Sequence, residues 1–156
     1  MKVHIGADHA GMPLREVVVT LVEKHGYYPI VHEMPNAGPT DDYPIIACIV
    51  ANQLQKDVKA RGIILCGSGV GVAIAANRFK GVRAVEGYDE AQVALARAHN
   101  HVNVLTLGAR ITLRARISSL ILAFLRTPID RSLRHKRRIK MLDEIVYSRG
   151  YPHVIK

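Results

Sequence analysis

Apolar positions along this chain recur in two rhythms that take turns. Residues 2–7, KVHIGA, form a short apolar run of strand length that ends in Asp8-His9-Ala10-Gly11. Leu14, Val17, Val18, Leu21 and Val22 then keep the 3.6-residue spacing of a helix face, with Pro13 near the first turn and Gly26 as a C-terminal stop. Residues 27–32 predict a second strand, and MPNAGPTDDYP at 34–44 is dense enough in turn formers to predict a loop. A helix over 44–56 follows, then a strand at 62–66, a glycine turn, a helix at 70–78 and a short strand at 82–85. Residues 88–100 predict an alanine-rich helix with Asp89 and Glu90 near its positive end. VNVLTLG at 102–108 is a fifth strand, and two helices, 112–126 and 131–149, close the chain on either side of Thr127-Pro128.

Strands alternating with helices of this length predict an α/β fold, with a parallel sheet of five strands covered by helices on both faces. Ligands in such folds sit beyond the carboxyl ends of the strands. That rule sorts the polar candidates: Asp8 and His9 follow the first strand, Cys66 to Gly71 the third, and Gly108 to Arg110 the fifth. The odd polar groups are therefore expected on one edge.

At 156 residues the chain is expected to be a single domain spanning 1–156. An apolar fraction of 49% and ordinary charge content mark it as globular. No apolar run approaches the roughly 18 residues of a membrane span, and MKVHIGADHAG does not read as a signal peptide. The two cysteines, Cys48 and Cys66, make no disulfide framework, so the expected setting is a reducing cytoplasm. The net charge is +9, and residues 110–140 alone carry ten Lys or Arg against one acid, Asp130. Such a segment suits a polyanion or a small anion gathered at one place. With Phe124 its single aromatic and no base-stacking pattern, nucleic acid is the weaker fit.

GIILCGSGVGVAIAANR, 62–78, stops an apolar strand at a thiol and continues in alternate glycines. A phosphate-binding P-loop would need a lysine, and none occurs before Lys80; the dinucleotide pattern would need glycine where Val72 stands. What remains is general physics. Gly67, Ser68, Gly69 and Gly71 let a backbone come close to a ligand and aim N–H groups at a phosphate or a developing oxyanion. The same positive potential favours a thiolate at Cys66, suited to nucleophilic attack or to removing a carbon-bound proton. Cys48, mid-helix among Ile and Ala, reads as a buried hydrophobe. Taken singly, His9 reads as a loop residue, His99 as a helix C-cap and RHKRRIK as a solvated face. Arg134 and Arg138, however, stand at i, i+4 on one side of a helix, where two guanidiniums clamp a phosphate well.

These residues together resemble the ribose-5-phosphate isomerase B family, which includes galactose-6-phosphate isomerase subunits. The matching segments are GADHAG at 6–11, DDYP at 41–44, LCGSGVGVAIAANR at 65–78, GVRA at 81–84, HNHVNVLTLGAR at 99–110 and RHKRRIKML at 134–142, in order along nearly the whole chain. The resemblance implies a Rossmann-like, doubly wound sheet with a C-terminal helix. It implies an aldose–ketose isomerase of phosphorylated sugars that works through a cis-enediolate with no metal or cofactor. It also implies a homodimer, or a dimer of such dimers, with active sites shared between subunits and neither nucleic acid nor membrane as partner. On this reading Cys66 is the base that moves a proton between C1 and C2. Residues 67–71, with Ser68, hold the enediolate oxygen. His99 assists opening of the furanose ring, with Asp8 its polar partner at the sugar. Arg134 and Arg138 bind phosphate with His9 and Arg110, while Tyr43 and Asn100 line the sugar site.

Ribose 5-phosphate is the favoured substrate, ahead of a hexose 6-phosphate (galactose or allose) or a tetrose phosphate. A non-catalytic binder of sugar phosphates or nucleic acid is the competing class. Three positions depart from the expected pattern: Ala73 for a serine, His101 for an acid or amide, and Ser68 for a threonine, the last keeping its hydroxyl.

Overall fold

The structure, a computed structural model, describes residues 1–145 of the 156. Its elements alternate as β1 (Lys2–Ala7), α1 (Met12–Lys24), β2 (Tyr28–His32), α2 (Tyr43–Lys56), β3 (Arg61–Cys66), α3 (Val70–Ala76), β4 (Ala84–Glu86), α4 (Glu90–Asn100), β5 (Val104–Gly108), α5 (Arg114–Arg126) and α6 (Leu133–Ile145). The predicted elements all form, with ends shifted by a few residues. The glycine-turn helix stops at Ala76, and the fourth strand starts at Ala84. Positions 146–149 of the predicted last helix, and the residues from Gly150, lie outside the described residues.

All five strands run parallel, in the order β2-β1-β3-β5-β4. The chain steps from β1 outward to β2 and then returns to the other side of β1, so the strand order reverses between β1 and β3. Strands buried on both faces need apolar residues at successive positions, as IILC in β3 and VLTL in β5 supply. On one face Val3, Ile5, Ile63, Leu65, Leu105 and Leu107 meet α1, α4 and α5, where Phe124 and Leu120 are fully buried. On the other face Ile64, Cys66 and Val104 meet α2 and α3 through Ile46, Val50, Val72 and Ala76. The parallel sheet covered on both faces that the alternation predicts, and the doubly wound order that the resemblance implies, are therefore both present.

The helix–strand alternation also gives the sheet two unlike ends. Each helix that follows a strand, α1 to α5, runs antiparallel to the strands, so its first turn lies near the carboxyl edge and its last turn near the amino edge, whereas α6, which follows α5 directly, begins at the amino edge. Residues that follow strands and residues that end helices are thereby sent to opposite edges.

Candidate active site

Loops from β1, β3 and β5 meet in a cleft of about 720 Å³ whose walls include Asp8, His9, Tyr43, Cys66, Ser68 and Arg110. Cys66, the last residue of β3, pairs in register with Gly108 of β5 and is 4% exposed. The Gly69 N–H donates to its Sγ at 3.0 Å, a donor well placed to steady a thiolate. The Val70 N–H donates to Ser68 Oγ at 3.3 Å, which occupies an acceptor site of the hydroxyl and leaves its proton to point elsewhere.

The glycines of this turn do several different jobs. Gly69 has φ +87°, a left-handed backbone that bars most side chains. Gly71 makes room for Tyr43, because a Cβ there would stand 2.7 Å from the phenol ring. A Cβ on Gly108 would come within 2.4 Å of the Ser68 carbonyl. The expectation that Gly67, Gly69 and Gly71 all serve close approach of a ligand is therefore too narrow, since Gly69 and Gly71 also lock neighbouring loops together. The Arg110 guanidinium lies over Gly67, 3.5 Å from where a Cβ would be.

Two carboxylates support the front of the cleft. Asp8 is buried and accepts from the Gly11 N–H at 2.7 Å. Burial raises its carboxyl above the ordinary range, and the Gly11 bond opposes that shift without cancelling it. Asp41, from the loop before α2, accepts from the His9 backbone N–H at 2.9 Å and pairs with His9 Nδ1 at 2.5 Å. Its side chain is 1% exposed. Burial alone would raise the Asp41 carboxyl, but the ring and backbone bonds from His9 outweigh it and hold it below the ordinary range. With Nδ1 engaged, Nε2 is the His9 nitrogen available to a ligand. Asp41 stood in the quoted DDYP but carried no role there, because a pairing across 32 positions leaves no local signal.

The remaining candidates lie elsewhere in this chain. His99 and Asn100 end α4, and Arg134 and Arg138 sit on the exposed side of α6. The expectation of one edge, made for the residues that follow strands, holds for them, and these four lie apart from that edge. Eleven residues of α4 carry the chain back by about 16 Å, so His99 ends near the opposite edge from Cys66. There its ring stacks on His135 of α6.

His101 ends α4 at φ +51°, and its Nε2 reaches the Asp130 carbonyl at 3.4 Å. Left-handed positions favour Asn, Asp and also His among non-glycine residues, which accounts physically for the departure noted at this position. Ala73 lies within α3 and is partly buried. Among the described residues, two groups of side chains bring metal-type donor atoms within 4.8 Å of one another, Asp8–His9–Asp41 and His99–Asp130–His135. In the first, His9 and Asp41 already satisfy each other, so it behaves as a braced histidine.

The sequence profile of the family described as Ribose/Galactose Isomerase matches residues 3–142. Among curated relatives, the ribose-5-phosphate isomerase B of Mycobacterium tuberculosis is 34% identical over 154 residues, covering 99% of this chain and 95% of its own. The Escherichia coli protein of the same description is 33% identical over 150 residues, covering 96% and 99%. Among solved structures, Trypanosoma brucei type B ribose 5-phosphate isomerase superposes with a TM-score of 0.86 at 38% identity, over 92% of this chain and 97% of that one. Ribose-5-phosphate isomerase B of Mycoplasma genitalium, solved with bound ribulose-5-phosphate, gives 0.85 at 33% identity over 92% and 95%.

Proposed function

The chain belongs to the ribose/galactose isomerase family, and on that premise we propose that it interconverts ribose 5-phosphate and ribulose 5-phosphate through a cis-enediolate. The observation that carries this reading is the thiol of Cys66 beneath the Gly69 N–H, at the floor of a cleft that also holds Ser68, Asp8 and a braced His9. Isomerisation next to a carbonyl needs one base for the carbon-bound proton and donors for the oxygen that becomes negative. Cys66 takes the proton from C2 of the aldose and returns it to C1. The free Ser68 hydroxyl proton and the turn N–H groups not used internally hold the enediolate oxygen. Binding energy from the phosphate orients the reacting carbons, with His9 and Arg110 at one side of the cleft.

His99, Asn100, Arg134 and Arg138 come from a second copy in a homodimer. Their place at the far edge supports this, since one chain cannot fold them onto its own Cys66. So does the rim of the cleft, where Ile74 is 54% and Ile111 59% exposed, apolar surface of the kind a partner covers. His99 then assists ring opening, and the two arginines grip the phosphate. Among the described residues no helix is long and apolar enough to cross a membrane. Cys48 and Cys66 are both free thiols, in keeping with a reducing cytoplasm.

The test is turnover of ribose 5-phosphate with EDTA present, wild type beside Cys66→Ala. We expect kcat to fall by at least about a thousandfold in the variant, with substrate still bound. Undiminished kcat would remove Cys66 as the base. Wild-type protein inactive on ribose 5-phosphate but active on a hexose 6-phosphate or tetrose phosphate would keep the chemistry and change the sugar.

A further inference from the structure

The cluster at the amino edge of the sheet is not used by the Cys66 cleft of its own chain. His135 lies on the first turn of α6 and is 5% exposed, while Arg134, Arg137 and Arg138 around it face solvent. Its imidazole lies flat on that of His99, with centroids 4.4 Å apart and planes 5° from parallel, at the close end of stacked ring pairs. Asp130 ties this pair to the helix that carries His99. Its backbone N–H donates to the Ala98 carbonyl at 2.9 Å, one residue before His99. Its Oδ2 stands 3.3 Å from His135 Nε2, and the Ser132 N–H steadies Oδ1 at 2.8 Å.

His135 Nε2 is closed off from solvent and makes no aligned hydrogen bond to any described residue. The ring is therefore oriented by the stack and by the charge of the carboxylate. Burial first, and then the charge of His99, push the His135 imidazole down from its ordinary value. One face of His99 is thus covered by His135, and the residue as a whole is half-buried.

We propose that His135, held by Asp130, is a positioning residue for His99: it sets the plane of that ring so that its nitrogens meet the sugar in the cleft of a second copy. The inference rests on the ring-opening role given to His99 above. In ring opening the bond from C1 to the ring oxygen breaks, the ring oxygen gains a proton, and the C1 hydroxyl loses one to become the aldehyde. Ribulose 5-phosphate carries phosphate on the oxygen that would close a furanose, so it is open-chain. Exchange of its C1 proton with D2O needs Cys66 and no ring opening.

The experiment compares these two reactions in wild type, His135→Ala, His135→Phe, Asp130→Asn and His99→Ala. For His135→Ala we expect kcat from ribose 5-phosphate to fall about tenfold with KM within about twofold. Phenylalanine, which keeps a flat ring, should restore most of that loss, and Asp130→Asn should lower kcat about threefold. Deuterium wash-in at C1 of ribulose 5-phosphate should proceed at the wild-type rate in all four variants. Unchanged kcat in His135→Ala, no rescue by phenylalanine, or exchange that falls in step with kcat overturns the proposal. If circular dichroism shows His135→Ala unfolded, Asp130→Asn decides, and an unchanged kcat there overturns it. Full turnover by His99→Ala removes the role of His99 and this proposal with it. A ring-opening defect in His99→Ala that His135→Ala does not share removes this proposal alone.

Discussion

The two edges of the sheet are held together by different means. At the carboxyl edge loops touch backbone to backbone: Gly108 against the Ser68 carbonyl, and Gly11 against the Leu65 carbonyl, each where a Cβ would stand only 2.4 Å away. At the amino edge long side chains hold helix ends. Arg61 donates to the Phe124 carbonyl and lies 5.5 Å over its ring. Arg83 Nε donates to the Asn100 and His101 carbonyls at 3.1 and 3.3 Å, and Arg97 donates to the Val102 carbonyl. Helix C-termini present unpaired carbonyls and partial negative charge, which draws guanidiniums there. The crowding has a cost: Arg97 is pushed down to about 10 by burial, and then by Arg61 and Arg83.

The difference teaches where chemistry is delivered. A strand-end residue is aimed by sheet register into the cleft of its own chain. A helix-end residue arrives at the other edge, and on the proposed reading it acts in catalysis through another molecule. The sharpest way to break this view is to mix two inactive proteins, Cys66→Ala and His99→Ala. If the edges of two copies form each site, random dimers should recover about a quarter of wild-type activity, because half the dimers carry one intact site of two. No recovery, with mixed dimers demonstrated, refutes the sharing.

Next in size is Arg138→Ala on the outer face of α6. It should raise KM for the sugar phosphate at least about tenfold and change kcat little; an unchanged KM takes Arg138 out of the phosphate site. A smaller effect is expected at the carboxyl edge from Asp41→Asn, which keeps shape but removes the charge behind His9. There KM should rise about fivefold, and a KM equal to wild type would mean that His9 needs no brace.

The smallest effect concerns stability, at a pair of residues on β1 and β2 that belongs to neither group of site residues. His4 Nδ1 and His32 Nε2 lie 2.8 Å apart, a spacing that needs one nitrogen to accept. Burial lowers both imidazoles from 6.5, with His32 adding to the shift of His4. Groups lowered in the folded state contribute stability that is complete above pH 6.5 and is lost as pH falls through their folded values. Between pH 7.5 and 5.5 the melting temperature should drop by about 3 °C, and His32→Gln should flatten that drop. An identical slope in the variant would take the effect away from this pair.

Much of the carboxyl edge was legible in the chain itself. KVHIGA, GIILC and VNVLTLG are apolar runs of strand length, and whatever follows such a run lands at the ligand-binding edge, so Asp8, Cys66, Ser68 and Arg110 were found together. Which of the alternate glycines takes the left-handed backbone, Gly69 at φ +87°, was not legible. Asp41 behind His9 was not legible, because loop closure across a fold brings together residues that share no local period. Nor were the His99–His135 stack and its Asp130 tie, which need α4 and α6 to pack.

The order of apolar rhythms determined the strands, the helices and the side chains placed at strand ends, because local periodicity and turn chemistry act within a few residues. Tertiary structure decided the rest. Strand order put β1 beside β3, loop packing assigned Gly71 to Tyr43, and the antiparallel return of α4 carried His99 away from Cys66. These outcomes depend on which surfaces bury one another, and that is a property of the folded whole.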